Sequence, residues 1–396
     1  MSSLLLTGIG ELLTGDLAQP RADATSVLIR DGSIVGLDPV DASADVELDV
    51  RGATVMPGLV DGHVHPSFGE WTPAQDSIGW IGNYLHGGTT TMVSAGELHI
   101  PGLPFHDLDA ELVTSLAVVS ARTTGALRPS GVKLHAGTVL LVPGMQPAHF
   151  DRLAAAGCRF AKFIFYPFDE APAGEAERYV EWCHERGILV KVHTGGVSRS
   201  GASRPVGFDV VARVRPDIAA HVSGGPIPMP DDELDRLVDE TDCALEVCSS
   251  MNYASTDRVA RRLHARGELH RLTLGTDTPG GTGVIPRGML RNLLFLAAMS
   301  GLDPAVAVAI GTGNTARAHG LDVGVLGPGR PADLVICGPV VGTEALTGSG
   351  AIAHGDLPGI THVVVDGEVL VSGRSRQTPP PRVAPISCCD MKGSPP

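Results

Sequence analysis

Apolar and polar positions change rhythm twice along the 396-residue chain. Residues 4 to 56 read as short strands, LLLTGIG, TSVLIRDGSIVGL and VELDVRGATVMPG, with apolar residues in brief runs or alternating with polar ones. Asp31-Gly32 between two such runs is a hairpin signal, because a type I′ turn needs positive φ at both central residues. The same pattern returns near the other end in PADLVICGPV and in ITHVVVDGEVLVSG, which turns on Asp366-Gly367. Small sheets need a partner to cover their apolar face. The two ends, 1–57 and 323–376, are therefore expected to form one discontinuous β-sandwich beside a central domain.

In that central stretch, 58–322, strand-like runs alternate with segments that repeat apolar residues at spacings of three and four. The runs are TTTMVSAG, GVKLHAGTVLL, RFAKFIFY, ILVKVHTGG, IAAHVSGG, CALEVCS and RLTLGTD; the helical segments include EAERYVEWCHERG, PDDELDRLVDET, TDRVARRLHARG and PRGMLRNLLFLAAMSG. Repeated βα units of this length predict an α/β protein, a TIM-like (β/α)8 barrel. After Gln377 the chain is proline-rich, and 377–396 is expected to be a disordered or loosely wrapped tail.

Composition removes several classes of function. The formal charge is −14 and the Lys and Arg residues are scattered, so nothing can displace the counterions of a nucleic-acid duplex. No run reaches the ~18 apolar residues of a membrane span. The amino terminus is apolar but has its first charge at Glu11 and no basic leader region, so a cytoplasmic location is expected. Seven cysteines, none in a CxxC pair, do not suggest a disulfide framework: Cys158, Cys183, Cys243, Cys248 and Cys337 read as buried thiols, and Cys388 and Cys389 fall in the tail.

The 15 histidines are more informative. Catalytic groups of a βα barrel collect at the carboxyl ends of its strands. His63 and His65 in GLVDGHVHPS are two apart, so both rings project from one face of an extended strand. His193 ends ILVKVH, His221 ends DIAAH and Asp277 ends LTLGTD. Any one of these alone could cap a helix or hold a loop. Together they bring five nitrogen or oxygen donors to equivalent places in successive units, which suits a divalent metal such as zinc. Lys162 in RFAKFIFY is costly to bury as an ammonium. It is either a snorkelling or salt-bridged lysine, or one carboxylated by CO₂ to an anionic carbamate that can bridge two metals.

These residues resemble the amidohydrolase superfamily, with VMPGLVDGHVH like its sandwich-to-barrel junction and GVLGPGRPADLVI like its return to the sandwich. Within it the chain is similar to the enamidases through LHGGTTTMVSAG, VEWCHERGILVKVHTGG, AAHVSGGP, TDTPGGTGVIPRGMLRNL and GDLPGITHVVVDGEVLV. The resemblance implies a homotetramer and a binuclear centre of zinc and possibly iron, held by His63, His65, His193 and His221, with Asp277 as ligand and general base. Enamidases carry a glutamate at the bridging position where this chain has Lys162. A carboxylated Lys162 would keep the charge and the bridge, and the change bears on the substrate.

The activity implied is ring opening of 6-oxo-1,4,5,6-tetrahydronicotinate by a metal-bridging hydroxide, giving 2-formylglutarate and ammonia. Another lactam, cyclic ureide or N-acyl substrate is the alternative, and a non-catalytic scaffold of the same fold a more distant one. His135, in GVKLHAGTVLL, also reads as a strand-end residue that could donate a hydrogen bond to the substrate carbonyl. A substrate carboxylate would need Arg287, Lys133 or the backbone N–H groups of Ser223 to Pro226. The remaining histidines, His99, His106 and His319 among them, read as structural or exposed.

Overall fold

A computed structural model of the chain describes residues 3–66, 80–97, 107–126, 128–198, 201, 203–225, 227–249, 252–281 and 283–387. Pro226, His99, His106, Cys388 and Cys389 lie outside the described residues.

The central stretch forms eight parallel strand positions: β1 (Leu59–Val64), β2 (Thr89–Ser94), β3 in two pieces (Lys133–His135 and Val139–Leu140), β4 (Phe160–Phe163), β5 (Leu189–His193), β6 (Ile218–Ala220), β7 (Ala244–Cys248) and β8 (Leu272–Gly275). The first piece of β3 pairs with β2 and the second with β4, so the break at 136–138 falls within one strand position. The chain past β8 returns to β1, where Asp277 N–H donates to His63 O at 2.8 Å and Val64 bridges Thr278. The barrel is thereby closed. Helices such as Glu175–His184 and Asp231–Glu240 cover it, each burying one face against the strands.

Strands from both chain ends share the two flanking sheets. In one sheet Thr54–Pro57 lies between Glu11–Leu13 and Leu334–Gly338, followed by Gly359–Val365 and Glu368–Val371. The other carries Ser3–Thr7 between Val46–Asp49 and Val27–Arg30. Both expected hairpin turns have left-handed residues in pairs, Asp31 and Gly32 at φ 47° and 81°, Asp366 and Gly367 at 47° and 76°. Leu4, Leu6, Leu12, Val27, Val55, Leu334, Ile336 and Val364 pack between the sheets into a core separate from the barrel's. Only Gly58 separates the sandwich strand Thr54–Pro57 from β1, so sandwich geometry fixes where the first barrel strand starts.

Two expectations are corrected. The tail is built in as far as Ser387: Thr378 Oγ1 accepts from Ile360 N–H at 2.9 Å, and Ile386–Ser387 pairs antiparallel with Val46–Asp49. The segment PRGMLRNLLFLAAMSG is α-helical only over Gly288–Leu294 and continues as a π-helix over Phe295–Met299. No helix among the described residues is long and apolar enough to cross a membrane.

Candidate metal centre

Alternation along β1 sends Asp61, His63 and, one residue past the strand, His65 to the same side. Their rings stand nearly perpendicular, 5.1 Å apart. Asp277, two residues beyond β8, is turned toward them by a left-handed backbone, φ 60°, and its Oδ1 lies 3.2 Å from His65 Nε2 and 3.7 Å from His63 Nε2. These three groups form one focus of donors. His193 ends β5, and His221, also left-handed at φ 39°, follows β6. His193 Nδ1 and His221 Nε2 are 3.1 Å apart, and the His221 ring is 5.2 Å from that of His63, so the second focus abuts the first. Two ring nitrogens that close need either a proton between them or a shared cation.

The nitrogens facing away from the centre are held. His65 Nδ1 pairs with Gly96 O at 2.8 Å and His193 Nε2 with Gly196 O at 2.9 Å; a carbonyl only accepts, so each of these nitrogens carries a proton. His63 Nδ1 pairs with Glu246 Oε1. Burial first, and the Lys162 ammonium next, depress the His63 and His193 imidazoles, the latter to about 4. In His221, burial comes first and the His193 charge second. All three rings are thus kept neutral, the form in which imidazole is a ligand. Burial would raise the Asp277 carboxyl, but the His65 hydrogen bond and nearby positive charge, the Lys162 ammonium included, outweigh it and leave Asp277 below its ordinary value, ionised.

Lys162 is fully buried in the middle of β4. Burial brings its amine down to about 8 from 10.5, and its charge acts on His63, His193, His221 and Asp277 alike. Its Nζ has no hydrogen-bond partner, and neither has His63 Nε2 or His221 Nδ1. Each such buried orphan costs about 1–3 kcal/mol, so His63 Nε2 and Lys162 Nζ, both buried without partners beside Asp277 and its histidines, call for one. Neutral imidazoles and a carboxylate are the donor set of a divalent cation site, and the unpartnered Lys162 Nζ stands beside them.

His135 is not brought to this cluster. It lines a cavity of about 300 Å³ at the amino-terminal side of the strands, with Arg128, Lys133 and Arg159, and burial takes its ring down to about 4. The reason is the break in β3: the strand resumes at Val139–Leu140, so His135 does not stand at its carboxyl end. Lys133 is also placed away from the centre, its ammonium 2.7 Å from Asp333 and 2.6 Å from Asp366. Arg287 is exposed beside a cavity bordered by Arg291 and Leu357. Gly224 N–H donates to His221 O at 2.6 Å, so that part of the Ser223–Gly225 turn is engaged locally.

Sequence reasoning passed over four inward residues. Lys191 and Glu246 are fully buried in β5 and β7, Asp61 in β1, and His319, read as incidental, is buried with Nε2 at 3.9 Å from Glu246 Oε2. A signal existed: Lys191 precedes His193 by two, and Glu246 interrupts the apolar run ALEVC as Lys162 interrupts FAKF. Cys248, read as an inert thiol, also lies within ligand range of His63 and Glu246.

The amidohydrolase family model matches residues 54–370. Enamidase of Eubacterium barkeri is 40% identical over 388 residues, 97% of this chain and 99% of its own. Imidazolonepropionase of Salinispora tropica is 27% identical over 375 residues, covering 85% of this chain and 92% of its own. A crystal structure of enamidase superposes with a TM-score of 0.90 over 98% of this chain and 100% of that one, at 40% identity.

Proposed function

The chain belongs to the amidohydrolase family, and on that footing we propose that it is an enamidase-type enzyme that hydrolyses a cyclic amide, 6-oxo-1,4,5,6-tetrahydronicotinate, to 2-formylglutarate and ammonia. The family implies a binuclear divalent metal centre. His63, His65 and Asp277 would hold one ion, His193 and His221 the other, with Lys162 shared. Zinc, with iron in one position, suits imidazole and carboxylate donors. When bound, the pair supplies an acidified water as nucleophile and polarises the amide carbonyl.

The remaining chemistry belongs to the chain's own groups. Lys162, as a neutral amine, adds through Nζ to CO₂ and releases one proton, giving a carbamate whose negative charge offsets the cations. Asp277, ionised at neutral pH, accepts a proton from the attacking water and returns it to the ring nitrogen, which leaves only when protonated. The released enamine tautomerises to an imine, and a second water converts it to the aldehyde and ammonia. Assembly as a homotetramer in the cytoplasm is part of the same reading.

The observation that carries this reading is the meeting of His63, His65 and Asp277 in one donor group at the strand ends, with the His193–His221 pair beside it and the buried Lys162 Nζ left unpartnered. The metal-loaded protein should contain two metal equivalents per chain and release ammonia from 6-oxotetrahydronicotinate faster than from other lactams and imides. Turnover no higher than in a metal-stripped control would overturn the activity. Lys162→Ala should lose metal and regain part of it with added acetate; unchanged metal content would remove the carbamate from the mechanism.

A further inference from the structure

Beneath the donor cluster, inside the barrel, lies a second buried charged group that the reaction above does not use. Glu246 on β7, Lys191 on β5 and His63 on β1 are each 0% exposed. Glu246 Oε1 accepts from His63 Nδ1, and Glu246 Oε2 lies 3.3 Å from Lys191 Nζ. Lys191 Nζ also donates to Gly62 O, the carbonyl directly before His63. The pair therefore grips His63 twice, once at its ring and once at its own peptide. The backbone of β8 also closes in on it: a Cβ at Gly275 would fall 2.5 Å from His63 Cβ.

We propose that Glu246 and Lys191 are positioning residues, a charge-balanced buried pair that fixes the His63 tautomer and aims its Nε2 at the metal. The proposal rests on the amidohydrolase reading. A carboxylate accepts and does not donate when ionised, so His63 carries its proton on Nδ1 and Nε2 stays bare. A carboxylate behind an imidazole also makes the ring a stronger ligand than a carbonyl does. His65, supported by the Gly96 carbonyl, lacks that advantage, so His63 is the stronger ligand of its focus. Glu246 alone in the barrel interior would be an uncompensated charge, and Lys191 supplies the balance. The same contacts explain why two buried lysines in direct register, Lys162 and Lys191, play different parts. Lys191 is engaged by two acceptors, whereas Lys162 keeps a bare amine.

The test uses the full chain reconstituted with cobalt(II). Glu246→Gln keeps the side-chain size, but once its carbonyl accepts from His63 its amide N–H₂ must face the Lys191 ammonium. We expect metal retention against a chelator to weaken by about tenfold or more, with altered cobalt absorption bands and an unchanged far-ultraviolet circular dichroism spectrum. If Glu246→Gln does not fold, Lys191→Met/Glu246→Gln removes the donor–donor conflict and should show the same weakening. Retention within twofold of the parent and an identical cobalt spectrum in either folded variant overturns the proposal. In the parent itself, NMR of ¹⁵N-histidine-labelled protein should show His63 as the Nδ1–H tautomer, its proton slow to exchange with solvent; an Nε2–H ring overturns the proposal without any variant. A parent that binds no cobalt, with His63→Ala indistinguishable from it, overturns the metal centre instead, so the two failures are separable.

Discussion

Gly281 shows how little room single residues have around the centre. A Cβ there would lie 1.8 Å from Asp277 Oδ2, so any side chain must push the carboxylate away from His63 and His65. Gly281→Ala should lower kcat by about 100-fold, the scale of an ångström-sized misplacement of a reacting group, while the melting temperature stays near that of the parent. Steady-state kinetics and a thermal melt, run together, check both halves. A second single-residue effect lies far from the centre. His362, in the strand Gly359–Val365, is taken by burial from 6.5 to about 4, and its Nε2 accepts from Gly373 N–H at 3.4 Å. The fold holds this ring neutral, whereas the unfolded chain protonates it below about pH 6.5. The unfolded state thus binds more protons between pH 6.5 and 4, and stability falls as pH drops through that window. In His362→Gln the fall should be shallower by about 2 kcal/mol, read from urea unfolding at pH 7 and pH 4.5.

At the scale of elements, the helix Tyr253–Ala265 illustrates how a local signal and a tertiary one meet. Asn252 caps it, its side chain accepting from Ala254 and Ser255 N–H, and the Asn252 N–H donates to Ser223 O in the turn after β6. Asn252→Ala should cost about 1 kcal/mol, the worth of such a cap, measurable as a lower urea midpoint with unchanged slope. The backbone tie to Ser223 survives that substitution, so metal content should not change. Strand elements were legible where alternation or an apolar run extended over four residues or more, as in FAKF, LVKVH and ALEVC. Less legible was β3. Its sequence reads as one strand, but Ala136–Thr138 interrupt it, and the two pieces pair with different neighbours. Pairing on both sides decides where a strand stops, and local periodicity holds no record of it.

Across the whole molecule, the barrel and the sandwich are joined by charge as well as by chain. Lys133, at the start of β3, places its ammonium between Asp333 and Asp366, both from the carboxyl-terminal sandwich segment, and Asp333 is almost wholly buried. Lys133→Met would leave the Asp333 carboxylate without its cation and should destabilise the protein by about 3 kcal/mol. Adding Asp333→Asn should recover part of that loss. A urea titration of the single and double variants gives the comparison, and a Lys133→Met protein as stable as its parent would show that the domains do not depend on this bridge. The sequence by itself determined the alternation of strands and helices, the assignment of both chain ends to sheets, and the strand-end places of His63, His65, His193, His221 and Asp277. All of these follow from short-range periodicity and from the side a residue takes on its own strand. Only the tertiary structure decided that Lys191 pairs with Glu246 while Lys162 stays bare, that Glu246 stands behind His63, and that His135 and Lys133 face the other end of the barrel. Each of those depends on which residues from distant strands share a layer inside the closed barrel. Strand register and barrel closure set that layer, and neither is written in any one segment.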